Sequence, residues 1–322
     1  MDLGQKRRGV DMGPTALRIA DLDKRLAELG HKITDFGNVG GPDRSTARHG
    51  DERIRYLDDI LKMCENIAEQ VSMCVSGKMF PLVIGGDQSV SVGTLGGLAS
   101  HGTRRGIIWI DAHGDFNTQE TTPSGNVHGM ALSAILGYGH PKLANFKRIK
   151  PKAIEENTVL VGVRSIDEKE SELIERSRIT VFTMKEVDEL GIARVMREAI
   201  DIAARGVDDV HMSFDIDVLD PREAPGTGTP VPGGLTYREA HLAMEMLYDS
   251  GVVTSAELVE VNPILDQSNK TAEIAVQLLE SLMGKRIFER KVAVSRSAVK
   301  KGNTKISKPG TFNRNAKLDK FK

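Results

Sequence analysis

Short apolar runs alternate with amphipathic segments along most of this chain, and the alternation strongly limits the folds it can adopt. The apolar runs are typical of strands, and they span residues 31–37, 80–87, 106–112, 158–165, 179–184, 208–217 and 253–261. The segments with helical spacing are residues 14–29, 51–77, 89–99, 168–177, 185–205, 236–250 and 269–284. Strands that alternate with helices form βαβ units. The sequence therefore predicts an α/β fold with a mostly parallel sheet covered on both faces.

Acidic and imidazole side chains follow the apolar run at 106–110. Asp111, His113 and Asp115 are spaced by two, so in an extended chain they point to one side, roughly 7 Å apart. Asp215 and Asp217 have the same arrangement after a second apolar run. Like charges repel strongly in a poorly solvated pocket unless a positive charge lies among them. A single Asp-x-His pair is more often a surface turn, but two such strand ends predict a metal site.

Composition limits the class of protein and its compartment. The chain has 322 residues, 39% hydrophobic and 28% charged, which is an ordinary globular balance. It lacks the run of ~18–20 apolar residues that a membrane span needs, and its start lacks the apolar core of a signal peptide. Cys64 and Cys74 lie in one predicted helix, about 15 Å apart, which is too far for a disulfide. These features predict a cytoplasmic protein without contact to a membrane.

The end of the chain is strongly basic. Residues Lys285 to Lys322 contain 13 Lys and Arg but only two acidic residues, Glu289 and Asp319. Few large apolar residues occur there, so the segment cannot bury enough surface to offset the entropy of ordering. We therefore expect one domain at residues 1–286 and a disordered basic tail at 287–322. Contact of this tail with RNA or acidic surfaces is the alternative, but a solvated tail without such a role is favoured.

Several motifs, in order along the chain, together resemble the ureohydrolase superfamily of arginases, agmatinases and formiminoglutamases. They are GGDQS (85–89), DAHGD (111–115), SGNVHG (124–129), SFDIDVLDP (213–221), APGTGTP (224–230) and EVNP (260–263). The segments RRGVDMGP (7–14), VGVRSIDEKE (161–170) and GGLTYREAHLAMEML (233–247) make the chain most similar to bacterial arginases. The resemblance covers nearly everything but the tail. It implies a three-layer α/β/α sandwich.

The resemblance also implies two manganese ions per subunit. By motif position, Asp111 and Asp215 would bridge the ions, His113 and Asp217 would complete one ligand set, and Asp115 would belong to the other. Carboxylate oxygens with imidazole independently suit a manganese-like ion. The implied reaction is hydrolysis of L-arginine to L-ornithine and urea by a metal-bridging hydroxide. Trimers or hexamers are the implied assemblies.

Roles for the remaining site residues follow from the same resemblance. Glu260 would pair with the substrate guanidinium, and His128 would protonate the departing amine. A further group would bind the amino acid end of the substrate: Asn117, Thr122, Ser124, Asp167 and Glu170. Asp115 would also support catalysis, Thr229 would contact the substrate region, and Arg164 would be a supporting residue. Each of these residues alone would be interpreted as part of a polar loop or a helix cap.

The chain departs from the family pattern at two places. Gln88 replaces the histidine that the family uses as a metal ligand, and a neutral amide is a poorer ligand for a transition-type ion. We therefore expect one metal site to be weakened and the activity to be impaired. The first strand of the family fold is also missing, which would leave a sheet edge uncovered. An agmatinase and a non-catalytic relative that binds metal or joins an oligomer are the alternatives, although agmatine would leave the carboxylate-binding donors unpaired.

Overall fold

Six parallel strands form one sheet in the part of the chain that the structure, a computed structural model, describes: residues 1–42 and 44–288. The strands β1 to β6 are Leu82–Ile84, Arg105–Ile110, Thr158–Val163, Thr180–Thr183, Asp209–Asp215 and Val253–Val259. Their order across the sheet is β1-β6-β5-β2-β3-β4. After β2 the chain builds β3 and β4 on one side, and it then returns to build β5 and β6 on the other. The crevice beyond β2 and β5 is therefore the topological switch point, where ligands bind in sheets of this kind.

Eleven α-helices connect these strands within the described residues. Helices α1 to α11 are Gly13–Ile19, Leu22–Glu28, Leu57–Ser76, Val90–Ala99, Ala131–Ile135, Pro141–Ala144, Glu168–Arg176, Met184–Leu190, Ile192–Ala203, Tyr237–Ser250 and Lys270–Leu282. Short 3₁₀ turns occur at Val10–Met12, His128–Met130, Phe146–Arg148, Glu155–Asn157 and Ile216–Val218.

Two hydrophobic clusters, one on each face of the sheet, hold the layers together. Along β2, Ile108 and Ile110 point into the cluster formed with α1, α2 and α8 to α11. Ile107 and Trp109 point to the opposite face, into the cluster formed with α3 to α6. This alternation is what a strand covered by helices on both faces requires. The predicted three-layer α/β/α sandwich is confirmed.

Several predicted helices are interrupted or shortened. The helix predicted at 14–29 divides at Asp21, whose φ of +62° cannot continue a right-handed helix. The helix predicted at 185–205 divides at Gly191, where φ is +77°. The helix predicted at 51–77 begins only at Leu57. Residue spacing located these helices, but local backbone turns set their ends.

The strand predicted at 31–37 is wrong, because these residues have no regular secondary structure. The apolar side chains that suggested it, Ile33 and Phe36, are 37% and 50% exposed. Asp35 instead organises a local turn: it accepts a hydrogen bond from the Gly37 N–H at 2.7 Å and pairs with Arg18 at 2.6 Å. A short acidic side chain that bonds to nearby backbone competes with strand pairing in this way.

Both edges of the sheet are open among the described residues. Strand β1, whose three residues are partly buried, pairs only with β6, and β4 pairs only with β3. The absence of a first strand stays a prediction. Residues Met1–Arg286 form one compact unit, and a second unit begins at Ile287. Most of the predicted basic tail, from residue 289 onward, lies outside the described residues. None of the described helices is both long and apolar enough to cross a membrane.

Lys152 is a buried cation away from the switch point. Its side chain is fully buried, and its Nζ donates to the carbonyl oxygens of Ala144 at 2.9 Å and Leu143 at 3.5 Å, at the end of α6. Burial lowers the pKa of this ammonium group from 10.5 to about 8. The folded protein therefore releases this proton at a lower pH than the unfolded chain does.

We predict that Lys152 makes the stability depend on pH in the alkaline range. Between the folded pKa of about 8 and the unfolded value of 10.5, the unfolded chain binds more protons, so stability rises with pH. The gain over this window is roughly 3 kcal/mol relative to Lys152→Met, in which the other titrating groups are the same. Urea unfolding of both proteins from pH 7 to 10.5 measures it. A stability difference that does not change with pH would contradict the prediction.

Candidate active site

The ends of β2 and β5 bring three metal-type ligands together. Ile110 pairs with Phe214 in the sheet, so the two strands end at the same level. Asp111 follows β2 directly, and Asp217 lies in the 3₁₀ turn after β5. The ligand atoms of Asp111, His113 and Asp217 all lie within 4.8 Å of one another. Ligand side chains from two distant segments of the sequence thus meet at one point.

Surrounding donors fix the orientation of these carboxylates. The Trp109 indole Nε1 donates to Asp111 Oδ2 at 3.0 Å. Thr229 Oγ1 donates to Asp217 Oδ2 at 2.9 Å. His113 Nδ1 lies 3.1 Å from the same Asp217 oxygen. Partners of this kind hold metal ligands in place and tune their basicity. Thr229 therefore orients Asp217.

Asp115 and Asp215 are buried beside this cluster but outside the 4.8 Å group. Burial, followed by the charge of Asp111, raises the pKa of Asp115 well above its ordinary value. Burial, followed by the charges of Asp217 and Asp111, does the same for Asp215. Added positive charge would therefore favour ionisation of these neighbouring carboxylates.

His113 supplies positive charge in the absence of a metal ion. Burial alone would lower the pKa of its imidazole, but the Asp217 and Asp111 carboxylates outweigh burial and raise it to about 12. The ring then carries a proton between the two acids. A divalent cation that replaced this proton would neutralise more of the acidic charge and leave the ring neutral, as ligation requires. The donor set therefore fits a metal ion.

Gln88 follows β1 and is buried at the edge of the acidic group. Its backbone N–H donates to Glu260 Oε1 at 2.9 Å. Its amide Nε2 donates to the hydroxyls of Ser91 at 2.7 Å and Ser213 at 2.9 Å. Its amide Oε1 is buried and has no hydrogen-bond partner among the described residues. An unpaired buried acceptor beside an acidic cluster also fits a missing cation.

Beyond β6, the partly buried His128 pairs with the fully buried Glu260. His128 Nδ1 lies 3.2 Å from Glu260 Oε1. Burial disfavours the imidazolium, but the Glu260 carboxylate outweighs burial and raises the pKa of His128. Glu260 adopts a φ of +65°, an uncommon conformation for a side chain of this size. The contact with Glu260 thus favours the protonated form of the ring.

The first five residues of the chain complete this side of the site. The Met1 carbonyl oxygen accepts from the Asp87 N–H at 3.0 Å, and the Gly4 N–H donates to Asp87 Oδ2 at 2.8 Å. Gln5 Nε2 then donates to Glu260 Oε2 at 2.7 Å. Gln5 was not among the predicted site residues. Its partner lies 255 positions away, and a single glutamine near a terminus carries no recognisable signal.

The predicted substrate loop divides into buried and accessible members. Asn117 Nδ2 donates to Asp167 Oδ2 at 2.9 Å, which joins the two sides predicted to hold the substrate's amino acid end. Thr122 and Ser124 lie on the same loop, and the Thr122 hydroxyl accepts from the Ser124 N–H at 3.2 Å. Asp167 and Ser124 are exposed, whereas Asn117 is buried.

Glu170 and Arg164 serve as supports. Glu170 Oε1 accepts from the Phe116 N–H at 2.8 Å, and its Oε2 accepts from the Asp167 N–H at 3.1 Å within the capping box of α7. Glu170 therefore ties the metal-ligand loop to α7. The Arg164 guanidinium donates to five backbone carbonyl oxygens, those of Gly162, Asp217, Val218, Leu219 and Val231. This fixes the loop that carries Asp217 and Thr229.

Comparison with known proteins agrees with this geometry. A sequence model of the arginase family matches residues 1–284. The chain is 52% identical to an arginase of Bacillus subtilis (strain 168) over 288 residues, 89% of this chain and 96% of that one. It is 53% identical to an arginase of Bacillus caldovelox over 289 residues, 89% of this chain and 97% of that one. The chain belongs to the arginase family.

A solved structure extends the similarity to three dimensions. The native structure of the Bacillus caldovelox arginase at pH 5.6 superposes with a TM-score of 0.87 at 52% identity, covering 89% of this chain and 97% of that chain. The family predicted from the motifs is therefore confirmed, as is the prediction that this arginase-family chain is a hydrolase. The roles of individual site residues stay predictions.

We predict that metal binding by this arginase-family chain releases protons. At pH 7 the proton on His113, whose pKa is raised to about 12, must leave when a cation enters. Titration calorimetry with Mn²⁺ in two buffers of different ionisation enthalpy measures the number released. The variant His113→Asn should release about one proton fewer. Equal heats in both buffers for the unmodified chain would contradict this expectation.

Proposed function

We propose that this chain hydrolyses L-arginine to L-ornithine and urea with two manganese ions. The observation that carries the proposal is the cluster of Asp111, His113 and Asp217 beside the His128–Glu260 pair, in a member of the arginase family. Asp115 and Asp215 would complete the ligands of the ions. When bound, the ions would lower the pKa of a water and so supply a nucleophile that a resonance-stabilised guanidinium needs.

Glu260 would bind the substrate guanidinium. Its carboxylate is fully buried, and the Gln88 N–H and Gln5 amide hold its two oxygens in a fixed orientation. A planar guanidinium offers paired N–H groups that match a carboxylate. The uncommon backbone conformation of Glu260 supports this role, because such conformations occur where the surroundings fix a functional group.

His128 would donate a proton to the amine nitrogen of ornithine as it leaves. Burial opposes the charged ring, but the Glu260 carboxylate outweighs burial and raises the pKa of His128, which favours the protonated ring. A general acid must carry its proton at the working pH, and a group with a pKa near or above 7 does so.

The substrate loop supports arginine over agmatine. Donors at Asn117, Thr122 and Ser124 would bind the α-carboxylate, while Asp167 and Glu170 would lie near the α-amino group. The Asn117–Asp167 hydrogen bond brings a donor and an acid together, as a zwitterion requires. Agmatine has no carboxylate, so it would leave these donors unpaired.

Three further statements belong to the proposal. Gln88 would weaken one of the two metal sites and lower activity at limiting manganese. The protein would be cytoplasmic, which its two free cysteines support because a reducing compartment keeps thiols free. It would assemble as a trimer or hexamer, which the resemblance alone supports.

We expect His128→Asn to separate catalysis from metal binding. Loss of the proton donor should lower the rate of urea release by about 10²- to 10⁴-fold, because that is the usual contribution of general acid catalysis. Metal content should not change. Urea release from arginine and from agmatine, across a manganese titration, is the measurement. His101→Asn on the surface is the matched control. No urea from either substrate would favour a non-catalytic protein, and faster hydrolysis of agmatine would favour an agmatinase.

Gln5→Leu should weaken substrate binding. Without the Gln5 amide, Glu260 Oε2 loses a hydrogen bond to a charged group, typically about 1.5–3 kcal/mol, so KM for arginine should rise roughly 10- to 100-fold. The value of kcat should fall less, since the proton donor and the metal ligands are untouched. Steady-state kinetics against Gln267→Leu, an exposed glutamine, measures the effect. An unchanged KM would show that Gln5 does not position Glu260.

A further inference from the structure

The buried amide oxygen of Gln88 has no hydrogen-bond partner among residues 1–42 and 44–288. Gln88 is 1% exposed, so bulk water does not reach this oxygen. Buried polar atoms in folded proteins are nearly always paired, and an exception indicates a missing ligand, ion or water. The amide nitrogen of the same side chain, in contrast, has two partners.

The hydrogen bonds around Gln88 determine which end of the amide faces which neighbour. Amide nitrogen and oxygen are distinguished by their hydrogen-bond network. The Ser91 hydroxyl has one proton, and it donates this proton to Glu257 Oε1 at 2.5 Å. Ser91 Oγ can therefore only accept from Gln88, so the atom 2.7 Å away must be the nitrogen. The oxygen then points away from the serines.

A second buried pair keeps Ser91 in this donor role. His211 Nε2 lies 3.5 Å from Glu257 Oε1, and His211 Nδ1 bonds to Ser255 Oγ at 2.9 Å. Burial opposes ionisation of Glu257, but the His211 ring, together with the hydroxyls of Ser91 and Thr94, outweighs burial and lowers the pKa of Glu257. Glu257 therefore stays a carboxylate and requires the Ser91 proton. These contacts together fix the orientation of the Gln88 amide.

The contact with Ser213 places the Gln88 amide on the side of β5 that also carries Asp215. Ser213, which holds the Gln88 nitrogen, and Asp215 are two residues apart on β5, so both side chains point to the same face of the sheet. The Gln88 backbone binds Glu260, whose charge acts on Asp215. A carbonyl oxygen that faces carboxylates needs a positive partner, and a bound cation would supply it.

We propose that Gln88 Oε1 is a metal ligand, so that one half of the centre, with Asp115 and Asp215, is built from oxygen alone. This rests on the proposed two-metal function. The other half contains the His113 imidazole. Oxygen ligands suit hard ions such as Mn²⁺ and Mg²⁺, whereas imidazole suits Co²⁺ and Ni²⁺. The two halves would therefore differ in metal preference: Mn²⁺ would fill both, while Co²⁺ would strongly favour the His113 half.

Metal binding without substrate tests the proposal. Titration calorimetry and bound-metal analysis of the full chain give the affinity of each site for Mn²⁺ and Co²⁺. Gln88→Leu keeps the size of the side chain but lacks the oxygen, so its second-site Mn²⁺ affinity should fall at least about tenfold, the scale of a lost metal-site contact. Gln88→His should raise the second-site affinity for Co²⁺ more than that for Mn²⁺.

The role of Ser91 in positioning the Gln88 amide is tested separately. Ser91→Ala should weaken the second Mn²⁺ site and leave the first unchanged, whereas Ser281→Ala, a buried serine that bonds to His241 between α10 and α11, should change neither. This pair keeps the test decisive if Gln88→Leu does not fold.

The outcomes separate this inference from the proposed function. Two equally tight Mn²⁺ sites in the unmodified chain and in Gln88→Leu or Ser91→Ala would overturn the role of Gln88, even if arginine is hydrolysed. A second Mn²⁺ site that is lost in these variants would support that role, even if the unmodified chain releases no urea.

Discussion

The structure depends on the burial of like charges at the ends of β2 and β5. Asp111, Asp115, Asp215 and Asp217 are all buried, and burial is the largest influence that resists their ionisation. Each carboxylate raises the cost of charging its neighbours. Within the described residues, the proton on His113 offsets only part of this charge. A fold that buried such a group without a compensating cation would lose stability, so the arrangement implies one.

Sheet order explains why these acids meet. β5 returns to lie beside β2 after β3 and β4 have been built on the other side, so two strand ends about a hundred residues apart in the chain become neighbours. Backbone strain occurs at the same place: Asp115 and Glu260 both have positive φ, at +49° and +65°. Conformations of this kind persist when the surroundings fix them. Glu260 is held in this conformation by Gln5, by the Gln88 N–H and by the register of the sheet.

The sequence predicted the layers and the acidic cluster well because both follow from short-range patterns. The alternation of apolar runs with segments of helical spacing predicted six strands correctly. The acidic and imidazole residues spaced by two predicted the cluster of Asp111, His113 and Asp217. The strand at 31–37 was wrong because Asp35 bonds to nearby backbone and to Arg18, a competition that hydrophobic pattern does not measure. Gln5 and the five carbonyl oxygens around Arg164 could not be predicted, since their importance comes only from distant chain segments.

Two buried acids on neighbouring strands show what distinguishes a binding site from a structural network. Glu257 on β6 lies 3.5 Å from the His211 ring and accepts from the Ser91 hydroxyl, and these contacts, with that of Thr94, outweigh burial and lower the pKa of Glu257. Asp215 on β5 has only other carboxylates as the main influences after burial, and its pKa is raised. Both acids are buried, and Glu257 accepts from the Ser91 hydroxyl, which in turn accepts from the Gln88 amide. Burial alone therefore does not mark a metal site; an acid whose charge the chain leaves unbalanced does. The buried Gln88 Oε1 has no hydrogen-bond partner among the described residues, and a cation bound at the acidic cluster would be a partner for it.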